Sequence, residues 1–153
     1  MYNSVDACGS LSIQFDGNSI VIITDNTFYY NGAESIIIID TSGGAVCTYN
    51  VSVLFSNCTF ASNRAKLAGG ALVCHYSIVA IYDTVFFNNS AGQDGGALVT
   101  YVHPSNYTIV NSSFTYNEAG DDGGSLFVGR RGSHVKINGC IFTNNHATNA
   151  KLL

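Results

Sequence analysis

Charge is scarce in this chain. Six Lys and Arg against ten Asp and Glu leave a net charge of −4 at pH 7. So few cations cannot form a basic stripe that neutralises several phosphates, which argues against nucleic acid as a partner. Disorder is excluded as well, because 46% hydrophobic and 10% charged residues with one proline describe a chain that packs. Long apolar runs are missing: the longest aliphatic one, Ile36 to Ile39, falls far short of the ~20 residues that cross a bilayer. The opening MYNSVDACGS has neither the basic nor the apolar region of a secretory leader. At this length the chain is one domain, or a piece of one.

What the chain does have is a repeat. The pattern FxxNxA occurs five times, as FYYNGA at 28–33, FASNRA at 60–65, FFNNSA at 86–91, FTYNEA at 114–119 and FTNNHA at 142–147. A glycine marker precedes each Phe: GS at 9, GGA at 43, 69 and 95, and GGS at 123. From first Gly to Phe the separation is 19, 17, 17, 19 and 19 residues. The coils therefore run 9–42, 43–68, 69–94, 95–122 and 123–150. The first is longer because GAESIIIIDTS replaces the usual short connection. A fixed period of this size marks a solenoid.

Aligned coils place like residues in files. Seven before the Phe stand Val21, Val53, Val79, Tyr107 and Val135; five before it stand Ile23, Phe55, Ile81, Ile109 and Ile137. Alternation with β-branched and aromatic residues is strand patterning. Gly, Asn and Ser interrupt too often for the longer 3.6-period stretches of a helical solenoid. The expectation is a parallel β-solenoid of five rungs, each ~4.8 Å above the last. The Phe file should stack inside. Asn31, Asn63, Asn89, Asn117 and Asn145 suit an amide ladder at a bend. The following Ala fits a corner with no room for more, and the glycines permit unusual backbone angles or close approach.

GGA followed by FxxN resembles the repeat signature of the chlamydial polymorphic outer-membrane proteins, which are autotransporter adhesins with a β-helical passenger. Similar repeats occur in predicted extracellular proteins of simple animals. The resemblance covers 9–150 and implies a right-handed parallel β-helix, in keeping with the handedness of parallel crossovers. It also implies an extracellular or cell-surface location, the outer membrane if the source is bacterial. Two features depart from the bacterial proteins: no leader or translocator barrel is read here, and glycosylation sequons are numerous. After Ala150 the register calls for another Gly pair, and the chain offers KLL. A segment excised from a longer solenoid, or a eukaryotic relative, is the expectation.

Candidate chemistry is sparse. Asp94 and Asp122 precede Gly pairs in successive coils, with Asp121 beside them and Glu118 upstream. Aligned carboxylates can share a calcium ion, and a solvated turn needs the same residues. Related β-helical lyases add a base, but Arg130 and Arg131 lie eight or nine residues beyond Asp122, ~26 Å along an extended strand. No catalytic residue and no cofactor are therefore expected. His75, His103, His134 and His146 show no metal-binding spacing. The first three fall near the variable loop after the Gly-marked strand, on one edge of the scaffold, where binding commonly resides. Cys58 and Cys140 share a file three rungs apart, ~14 Å, too far to bond. Cys47 and Cys74 lie on adjacent coils one position out of register, so they can bond only if a bend intervenes, and Cys8 is left to pair with a residue beyond this segment. Sequons stand at Asn50, Asn57, Asn88, Asn106 and Asn111. Asn57 and Asn111 share a turn position with Asp25 and Asp83 that should be exposed and able to carry carbohydrate.

On this reading the chain is a non-enzymatic surface module for adhesion or spacing. Its partners would be a protein or glycan at a cell surface and flanking coils of the same chain. The rival is part of a carbohydrate-active, pectate-lyase-like enzyme whose site lies in other coils. One further expectation rests on strand parity. Ser12, Val46, Leu72, Leu98 and Leu126 form one file of the Gly-marked strand, and Ile13, Cys47, Val73, Val99 and Phe127 the next. Only one can face the core. The other should form an apolar outer stripe that marks an interface, or else be covered by a neighbouring loop or side chains.

Overall fold

The computed structural model describes residues 9–15, 19–33, 43–100, 105–129 and 133–149. Among these there are 20 strands and no helix. Every coil contributes four strands, which join four parallel five-stranded sheets. In coil three these are Leu72–His75, Ile78–Tyr82, Val85–Phe87 and Ser90–Ala91. They belong in turn to the glycine-marked, second, phenylalanine and corner sheets. Each strand pairs only with its counterparts in the adjoining coils, so the fold is the expected right-handed β-helix.

The phenylalanine file forms a continuous stack inside. Centroids from Phe28 through Phe60, Phe86 and Phe114 to Phe142 are 4.7, 4.9, 4.6 and 4.8 Å apart, with ring planes within 8°. That spacing is the distance between hydrogen-bonded strands, so ring stacking and backbone pairing demand the same rise. Val53, Val79 and Tyr107 face Val46, Leu72 and Leu98 across the core, all buried.

Three corners are held by side-chain ladders. In the tightest, the Asn63 backbone N–H and Nδ2 both donate to Asn89 Oδ1, at 3.0 and 2.9 Å. Asn89 treats Asn117 the same way, at 3.0 Å for each bond. The remaining Nδ2 proton of Asn89 goes to the Phe60 carbonyl at 2.9 Å. A second ladder runs from the Cys58 N–H to Thr84 Oγ1 and from the Thr84 N–H to Ser112 Oγ. A third joins the Ser77 N–H to Ser105 Oγ. The small inward residues two before the Phe thus satisfy the backbone as well as saving space. Among the described residues no buried side-chain polar atom lacks a hydrogen-bond partner, as a packed interior requires.

The two glycines of the marker have different duties. Gly43, Gly69, Gly95 and Gly123 adopt φ between +61° and +78°, the left-handed region that a Cβ disfavours. Gly70 and Gly96 have no such angle. A Cβ on Gly70 would instead strike the Gly96 carbonyl and come within 2.6 Å of the Ser90 backbone.

One expectation needs correction, and one open alternative is decided. Leu11, rather than Ser12, pairs with Val46, and Gly9 takes the place of Gly44, so the marker of coil one enters one residue out of register. The outward file of the glycine-marked sheet is not an exposed stripe. Val73 and Val99 are fully buried and cluster with Ala68, against which Leu67 and Phe127 pack. Residues of the corner before the Gly pair thus pack with this file.

Candidate functional site

The residue between each ladder Asn and the Ala two places after it is an outward position of the corner sheet. In successive rungs it is Gly32, Arg64, Ser90, Glu118 and His146. Because the marker's second glycine lets the backbone of Arg64, Ser90 and Glu118 press close, this corner is drawn inward. The surface is concave there.

Two adjoining depressions share Arg64, Ser90 and Glu118. One, of about 440 Å³, adds Lys66, Gly92 and Gly120. The other, of about 370 Å³, is bounded by Tyr30, Ser62, Asn88 and Tyr116. Tyr30 and Tyr116 occupy the same place in coils one and four, ~14 Å apart at ~4.8 Å per rung. The small residues Ser62 and the short Asn88 between them open a slot. Its walls are braced: Tyr29 meets Tyr30 edge-on at 4.2 Å, and Phe87 meets Tyr116 at 5.9 Å. A hydrogen bond with Tyr30 also holds the Tyr29 phenol above its ordinary pKa.

Arg64 and Glu118 lie two rungs apart, ~10 Å. That backbone spacing suits opposite ends of a dipolar or hydroxyl-rich ligand lying along the axis. Tyrosine faces and amide or hydroxyl groups supply the apolar and polar contacts that such a ligand needs. The trough was not found from sequence. The available signal was weak: the fourth residue after each Phe is small or polar in all five coils.

The structure does bring Asp94 and Asp122 onto adjacent rungs, where the Gly95 N–H donates to the Asp122 carbonyl. The Asp122 N–H donates to Asp94 Oδ1 at 3.3 Å, so that carboxylate caps the next turn. Asp121 is exposed and accepts from Asn149 Nδ2. Glu118 faces the trough instead. The acids of this stretch therefore serve two separate places. Among the described residues no three His, Cys, Asp or Glu converge as metal ligands.

His75 is half-buried beside Tyr49, with ring centroids 6.3 Å apart. His134 is exposed on the second sheet, and His146 follows Glu118 on the corner sheet. His103, Cys8, Arg130 and Arg131 lie outside the described residues. Cys58, Cys74 and Cys140 are free thiols, while Cys47 is disulfide-bonded. The Cys47–Cys74 bridge is thus not formed, as their one-residue offset in register suggests. Burial pushes the Cys74 thiol up to about 11, and raises Tyr107 beside it well above its ordinary value.

Four of the five sequon asparagines sit at turns with positive φ: Asn50, Asn57, Asn88 and Asn111, at 53°, 51°, 54° and 49°. Asn is among the few residues that tolerate this angle, so the turn alone accounts for the residue type. Asn106 starts a strand and is exposed. Among the described residues no helix is long and apolar enough to cross a membrane.

Residues 1–152 match the family model described as right handed beta helix region. Metabotropic glutamate receptor-like protein R of Dictyostelium discoideum is 29% identical over 100 residues, which are 64% of this chain and 6% of that protein. The chain spans only a small part of that relative's length. No solved structure matches.

Proposed function

The chain belongs to the right-handed β-helix family, and on that premise we propose that it is a non-enzymatic extracellular or cell-surface module acting in adhesion or as a spacer. The observation that carries the reading is the trough at the corner sheet, held on a scaffold whose inner ladders are hydrogen-bonded from rung to rung. A rigid frame with a shallow, polar and aromatic trough is suited to holding an extended partner. Its charges of both signs fit a cell-surface protein or glycan. The GGA…FxxN repeat resembles that of the chlamydial surface adhesins, and the resemblance supports this reading. The Dictyostelium relative's receptor-like name accords with a eukaryotic surface protein.

The test is binding of the purified chain to arrayed soluble glycans and to cell-surface extracts, alongside Arg64→Ala and Glu118→Ala variants. Retention that falls at least tenfold in both variants supports the trough. Cleavage of a polysaccharide by the chain, lost in the same variants, would instead establish the enzyme reading.

A further inference from the structure

We infer that Asn88 is a modification site whose own N-linked carbohydrate lies in the Tyr30–Tyr116 slot and closes the trough. This rests on the extracellular reading, since the modification belongs to the secretory pathway.

The five sequons are not equivalent in surroundings. The Asn57 amide is held by Asp25 Oδ1 at 2.6 Å, on the exposed turn between the second and phenylalanine sheets. Asn111 shares that turn file. Asn50 is half-buried and donates to the Phe15 carbonyl, and Asn106 is part of a paired strand. Asn88 lines the trough described above. It is exposed, its left-handed turn projects the side chain, and its Nδ2 makes a long 3.3 Å bond to Ser62 Oγ. Ser90, the hydroxyl residue of the same sequon, also lines the trough.

The slot fits such an occupant. About 370 Å³ is at the small end of ligand pockets, a size that a short carbohydrate stem fills. Tyr116 is the next residue of the file above Asn88, and Tyr30 stands beyond Ser62. The first sugar, projecting over Ser62, would lie between two phenol faces that match its apolar and hydroxyl surfaces. Attachment requires a sugar-pyrophosphate donor. The amide nitrogen bonds the anomeric carbon and loses a proton, while the carbon–oxygen bond to the pyrophosphate breaks and the pyrophosphate leaves. The same carbohydrate then covers Arg64, Ser90 and Glu118, which both depressions share. A binding surface would be masked by a covalent graft.

The full chain, secreted from cultured eukaryotic cells behind an added leader, provides the test. The protein contains no tryptophan, so Tyr116→Trp places a single indole in the slot. Glycopeptide mapping should find Asn88 occupied. An N-glycan-releasing amidase should free that glycan at least tenfold more slowly than any at Asn57 or Asn111 in the native protein, and equally fast after denaturation. Tyr30→Ala or Tyr116→Ala should remove the protection, and Asn88→Gln should red-shift the indole emission. A bare Asn88, or release at equal native rates with unchanged emission, overturns the inference. Protein from its own cells with all five sequons bare, while the secreted chain shows protection, would count against the extracellular reading and leave the slot standing.

Discussion

Two sets of aliphatic residues point away from the solenoid axis, and their fates differ. On the glycine-marked sheet, Val73 and Val99 are fully buried beneath the corner that carries Leu67 and Ala68. On the second sheet, Ile20, Ile22 and Ile78 are 74%, 64% and 60% exposed. Strand parity assigns all five to the outside. It does not say what lies on top of them. Direction is a local property of the strand, whereas burial depends on where the neighbouring corner travels. The glycine-marked sheet has a second, smaller core on its outer side, and the second sheet has an open face on which Ile20, Ile22 and Ile78 share files with Ser52, Asn106 and Lys136.

The sharpest way to break this contrast is to place a charge in each file. Val99→Asp should destabilise the fold by several kcal/mol, because an unpaired carboxylate has no partner in that cluster. Ile22→Asp should change stability by less than ~0.5 kcal/mol, as surface substitutions usually do. Urea melts of the two variants decide it, and equal midpoints would show that the outer cluster opens readily.

The same contrast exists at the corners. Asn89→Ala removes the acceptor of two Asn63 donors inside the ladder, and should cost about 1–3 kcal/mol. Asn57→Gly keeps the left-handed turn and alters an exposed residue, so its urea midpoint should stay within ~0.5 kcal/mol of the parent.

A smaller effect separates the thiols. Cys74 is fully buried, with a folded pKa of about 11 against an ordinary 9.0, whereas Cys140 is half-buried. The unfolded chain releases the Cys74 proton first, so this contribution is intact below about pH 9 and is lost as pH rises toward about 11. Tyr107, raised in the same direction, steepens the fall. Melts across that range should show it, and Cys74→Ala should flatten it. Alkylation at pH 8 should label Cys140 and spare Cys74 in the folded protein.

Much of the fold was legible because stacking demands that each file repeat. Phe28 to Phe142, and Asn31 to Asn145, declare their places by recurring. The first coil was misread by one residue because GS at 9–10 offers one glycine where the others offer two, and the second duty, close approach, is the one Gly9 fulfils. The covered file was illegible for a different reason: Leu67 and Ala68 occupy a connection, where nothing in the periodicity states which way the chain turns. The trough was harder still. Arg64, Ser90 and Glu118 share a position but no chemistry, and concavity comes from Gly70 and Gly96, which contribute no side chain to the trough.

The asparagine column has a sense as well as a position. Each of the first four rungs holds out two donors, its backbone N–H and its Nδ2, to an amide oxygen that belongs to the rung after it. A chain made from its N-terminus therefore finishes each coil with a pair of donors still waiting, and only the next coil can answer them. The column is therefore polar: its amide oxygens face one end of the solenoid and its paired donors the other.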